Sequence, residues 1–103
     1  MESLQDVQKL IGSLDDVSIS NDKIKEIYES IPNKEVRVNT TDKKYVACTD
    51  DSELDGVKRA ITKLNDASKL DITNAVKTVC GYLKGVHSKP RITFYVLVLN
   101  ELN

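Results

Sequence analysis

His87 lies seven residues after Cys80, the only histidine of the chain within reach of a thiol by helical spacing. On an uninterrupted helix that interval returns two side chains to the same side, where an imidazole can take a thiol proton and leave a nucleophilic thiolate. Gly85 is expected to end the helix before the pair can form. No third residue to orient the imidazole and no oxyanion donor is recognisable, so the pair is read as non-catalytic. A second candidate is DDSELDG, in which Asp51, Glu53, Asp55 and Gly56 occupy places one, three, five and six of a calcium loop. The resemblance stops at place twelve, where Thr62 stands in for the bidentate glutamate, and at Lys58 and Arg59, which bring positive charge toward a cation. Acids at the start of a helix are the simpler reading, because they meet the positive end of its dipole.

One histidine and two cysteines without CxxC spacing do not make a metal site, and no GxGxxG, Walker loop or GxSxG occurs. Neither a metal nor a cofactor is expected, and the chain reads as non-enzymatic. Cys48 and Cys80 are expected to be free thiols in a reducing compartment. MESLQDVQKL opens with acids and a helical pattern rather than a basic region followed by an apolar run, so no secretory signal is expected. The longest apolar run, about eight residues, falls below the ~20 that a membrane-spanning helix needs. The expected location is cytoplasmic, with no membrane partner.

Charge is the more informative signal. Residues 1 to 56 hold seven basic and thirteen acidic side chains, net minus six, whereas residues 57 to 91 hold eight basic and two acidic, net plus six. Within the second set, Arg59, Lys63, Lys77, Lys84, Lys89 and Arg91 are read as one basic surface built by two helices and a loop, able to meet phosphates or an acidic protein. The pI of about 5.8 and an aromatic complement of four tyrosines and one phenylalanine weigh against nucleic acid.

Elements must place these residues. Leu4, Val7, Leu10, Ile11 and Leu14 predict an amphipathic helix over residues 3 to 14, with Ser3 as its cap. Val17 and Ile19 suggest an optional edge strand. A second helix should begin at about Asn21 and end before Pro32. EVRVN and Tyr45 to Thr49 alternate in polarity and predict an antiparallel hairpin over 35 to 49. Leu54, Val57, Ile61 and Leu64 predict a third helix capped by Ser52. Ile72, Ala75, Val76, Val79 and Leu83 predict a fourth, capped by Asp71 and stopped by Gly85. The final RITFYVLVLN is apolar on both alternating faces and predicts a central strand over 91 to 99, covered on both sides. A second copy of the chain can supply one of those covers, which makes a homodimer one expectation.

The resulting expectation is a single α+β domain over residues 1 to 103, four helices packed on a small sheet. Its function is read as a small non-catalytic intracellular interaction domain, an adaptor, regulator or inhibitor that binds a larger protein. The alternative is a nucleic-acid-binding protein using the basic surface of residues 58 to 91.

Overall fold

The structure, a computed structural model, describes residues 3–32 and 45–103. In chain order these form α1 (Leu4–Gly12), α2 (Asn21–Ser30), β1 (Tyr45–Val46), α3 (Asp51–Leu64), α4 (Lys69–Tyr82), β2 (Lys89–Pro90) and α5 (Arg91–Leu102). The architecture is broadly α+β, with five helices among the described residues rather than the four expected, and one two-stranded antiparallel ribbon.

The largest departure from expectation is the C-terminal segment, where residues 91 to 99 are helix and not strand. A run that is apolar in every direction fits a strand covered on both faces and a helix covered all round equally well, since periodicity cannot separate them. β-Branched residues argued for strand, but a run of about ten residues has the length of a helix. The surroundings decide: every residue from Arg91 to Leu99 is buried, and α5 contacts α1, α2, α3, α4 and both strands. α5 is thus the central post of the molecule, and Phe94, Tyr95, Val96 and Val98 on its different sides are all fully buried.

The outer helices need only one apolar stripe each. α1 buries Val7 and Ile11, α2 buries Ile24 and Ile27, α3 buries Val57, Ala60 and Ile61, and α4 buries Ile72, Ala75, Val76 and Val79. Each starts on an oxygen-bearing side chain that accepts a backbone N–H three residues on. Ser3 Oγ takes Asp6 N–H at 3.1 Å, Ser20 Oγ takes Lys23 N–H at 3.1 Å, Asp50 Oδ1 takes Glu53 N–H at 3.2 Å and Ser68 Oγ takes Asp71 N–H at 3.1 Å. Ser3 therefore acts as expected, but the caps of α3 and α4 are Asp50 and Ser68, and Ser52 and Asp71 lie inside the first turn. Gly85 is likewise not the stop. α4 ends at Tyr82, where the Leu83 N–H already closes the last turn onto Val79 O, and no described residue has a positive φ.

The predicted strand over 35 to 39 and its turn lie outside the described residues. Of its expected partner only Tyr45 and Val46 are extended, and they pair with Pro90 and Lys89. Val17 and Ile19 form no strand and are half-buried against the core. Between α4 and α5, the Tyr82 hydroxyl donates to Glu101 Oε2 at 3.0 Å.

Two outcomes are expected. Phe94→Ala, which empties the space of a ring at the centre of the core, should lower stability by roughly 3–5 kcal/mol in urea unfolding. Tyr82 should titrate above the ordinary phenol value of 10.0, first because its proton holds the bond to Glu101, and then because burial and the Glu101 and Asp16 charges disfavour the phenolate. Because the folded state holds this proton more tightly than the unfolded chain, the stability it contributes is complete below the unfolded value and is lost as pH rises through the folded one. A phenolate absorbance titration checks this, with Glu101→Gln bringing the Tyr82 step down.

Candidate functional site

The basic residues singled out by sequence do not form one surface. Arg91 is buried, with 4% of its side chain exposed, because it is the first residue of the central helix and its guanidinium points into the protein. It cannot face a phosphate in solvent, and it leaves the proposed basic surface. Arg91 Nη2 pairs with Glu53 Oε1, the acid brought to it by the first turn of α3, and also donates to Tyr45 O of β1 at 3.3 Å. Nη1 reaches the Tyr95 hydroxyl one turn along α5 at 3.4 Å. Glu53 stands in the first turn of α3, as expected of an acid at a helix start, and is buried as well. A buried charge persists only where a partner and further hydrogen bonds compensate its lost hydration, and this cluster supplies both. It ties three separate segments together and is read as structural.

Lys89 is half-buried, and its Nζ donates to Val86 O at 3.0 Å. Lys63 is exposed on α3, Lys77 is exposed on α4, and Lys84 is exposed in the turn that follows α4. Lys77 stands three residues before Cys80, which places the two on one flank of that helix.

Arg59 enters a concave site. An open groove of about 500 Å³ lies between α3 and the start of α4, lined by Asp55, Lys58, Arg59, Thr62, Ala67, Lys69 and Ile72. Lys58 lies 4.0 Å from Asp55 in an exposed intrahelical pair, whereas no ion pair among the described residues engages Arg59 or Lys69. Exposed Leu70 follows Lys69 directly. The groove thus combines three cations, one acid and apolar side chains. Lys58 and Lys69 fall within the basic stretch of residues 58 to 91 read from the sequence, but the groove itself was not foreseen; the connection at 65–68 folds Lys69 back beside α3. Among the described residues no group of three or more His, Cys, Asp or Glu side chains is placed to hold a metal ion.

The cysteines also depart from expectation. Cys48 and Cys80 are not free but joined in a disulfide, with Cα atoms 6.0 Å apart. Their sequence separation of 32 gave no sign of pairing, because only the folding of α4 back along α3 brings them together. The argument from free thiols to a reducing compartment falls with this correction. No helix among the described residues is long and apolar enough to cross a membrane.

The buried pair is testable by a double-mutant cycle. Glu53→Ala and Arg91→Ala should each cost roughly 3–5 kcal/mol, since each strands a charge, while the double variant should cost clearly less than the sum. Chemical unfolding of the four proteins measures it.

No curated protein and no solved structure matches the chain. A family model matches it from residue 3 to residue 103, and the chain accordingly belongs to the family described as protein of unknown function (DUF2853).

Proposed function

We propose that the protein is a small interaction domain that works by binding and not by catalysis, and that the α3–α4 groove receives an acidic, partly apolar segment of a partner protein. The observation that carries this reading is the make-up of the groove. Arg59 and Lys69 have no ion-pair partner among the described residues, Lys58 stands beside them, and Ala67 and Ile72 offer apolar contact next to the charges. Unneutralised cations beside apolar side chains suit a segment that alternates carboxylates with aliphatic residues. A bare polyanion would leave the apolar lining unused. The net charge of plus six over residues 57 to 91 adds long-range attraction for such a segment.

Nucleic acid is the weaker reading. Single-stranded recognition relies on exposed rings for stacking, and no aromatic residue lines the groove. Tyr95 is buried, Tyr28 and Tyr82 are half-buried, and exposed Tyr45 belongs to β1.

A fluorescent peptide alternating glutamate and leucine, followed by anisotropy, tests the proposal. The double variant Arg59→Glu/Lys69→Glu should weaken binding about tenfold or more, while Lys84→Glu, outside the groove, should change it less than twofold. Equal affinity of the groove variant and the wild type would sink the reading. Binding of a single-stranded oligonucleotide in preference to the peptide, with a steep salt dependence, would transfer the function to the nucleic-acid class.

A further inference from the structure

The disulfide closes a covalent ring over residues 48 to 80, and that ring contains all of α3, the connection and most of α4. Every groove-lining residue, from Asp55 to Ile72, falls inside it. α3 is thus fastened to α4 at both ends, by the 65–68 connection at one and by Cys48–Cys80 at the other. We propose that Cys48–Cys80 is a thiol–disulfide exchange site, opened by a dithiol reductant, whose state controls the geometry of the α3–α4 groove. The identity of the groove's ligand rests on the function proposed above; the exchange chemistry does not.

Neither cysteine is fully buried, so an incoming thiolate has an approach. The two sulfurs are electrostatically unequal. Cys80 stands one turn after exposed Lys77 on the same flank of α4, with exposed Lys84 in the turn beyond the helix, and nearby cations favour a thiolate. Cys48 stands two residues before Asp50, the acid that caps α3, with Asp51 following, and carboxylates disfavour a thiolate. The better leaving group is therefore Cys80, which directs attack to Cys48. The reductant thiolate bonds to Cys48 Sγ, the Cys48–Cys80 bond breaks, and its electron pair leaves on Cys80 as thiolate. The second thiol of the reductant, deprotonated, then attacks the reductant sulfur of the mixed disulfide. That step closes the reductant's own disulfide and releases the Cys48 thiolate. Two electrons reach the protein, and the two protons given up by the dithiol balance those taken up by the cysteines.

Opening the ring leaves the lead into α3 held by the two-residue ribbon, the burial of Val46 and the Arg91 bond to Tyr45 O, and the first turn of α3 held by the Glu53–Arg91 pair. Release of the Cys48 tether acts first on that lead and the turn after it, so their amides are the ones to loosen.

The oxidised full-length protein is incubated with dithiothreitol without denaturant, quenched in acid, alkylated and mapped by mass spectrometry. A parallel sample receives glutathione, a monothiol with no second thiol of its own to resolve the mixed disulfide, and is quenched early, before a second glutathione can do so. The expected results are reduction in the folded state and a glutathione adduct on Cys48. Reduction should also slow roughly three- to fivefold in Lys77→Gln/Lys84→Gln. Amide exchange at the start of α3 should rise at least tenfold after reduction, with α1 and α2 unchanged. Reduction that needs denaturant, an adduct on Cys80, or unaltered α3 exchange would each overturn the proposal. The acidic peptide separates the two readings. Equal affinity for oxidised and reduced protein refutes control of the groove, whereas no affinity for either form refutes the groove's ligand and leaves the exchange supported by the mapping.

Discussion

A helix with no face for water has to be enclosed, and α5 is such a helix from Arg91 to Leu99. One neighbour can cover only part of its circumference, so several elements must converge on it, and α1, α2, α3 and α4 all do. This enclosure explains why the other helices are amphipathic in the ordinary way. Each presents one apolar stripe to the post and keeps the rest of its surface for polar residues. Among the described residues the charged side chains accordingly lie outside the core, Glu53 and Arg91 excepted.

An all-apolar helix carries little information about its own rotation or slide, because any side of it suits an apolar neighbour. Directional contacts at its two ends supply that information. At the start, the Arg91 guanidinium must meet Glu53 of α3 and Tyr45 O of β1. At the end, Glu101 must meet the Tyr82 hydroxyl of α4. Enclosing a guanidinium and a carboxylate carries a desolvation cost that their attraction offsets only in good geometry, so the pair acts more through the uniqueness of the arrangement than through net stability. Apolar packing holds α5 in place, and these polar contacts select which place.

How much of this could be read from the residues depends on the range of the interactions that decide them. The apolar stripes of α1 to α4 are local periodicities and were legible to within a turn. The cap assignments at Ser52 and Asp71 failed by two or three residues. Asp50 and Glu53, like Ser68 and Asp71, are polar residues at the spacing of a cap and its third helical residue, and the pattern alone does not say which member lies outside. The C-terminal run failed for a different reason, since its periodicity is absent and only its neighbours choose helix over strand. Burial of Glu53 and Arg91 and the joining of Cys48 to Cys80 are contacts across 38 and 32 residues, and nothing near either partner announces them. Of the candidate site, Arg59 was legible as an outward cation, but the groove exists only because α4 folds back against α3.

The six cations once grouped as a single surface show how far position overrides residue type. Arg59 joins Lys58 and Lys69 at a groove. Lys77 lies one turn before a disulfide cysteine, and Lys84 lies in the turn beyond α4. Lys89 spends its donor on a neighbouring carbonyl, and Arg91 is drawn into the core by the helix it begins. A sequence count adds these charges into one patch, whereas the fold separates them by what each cation faces. α3 and α4 line the groove, and the Cys48–Cys80 bond ties the segment before α3 to the last turn of α4, so the whole groove lies within one covalent ring.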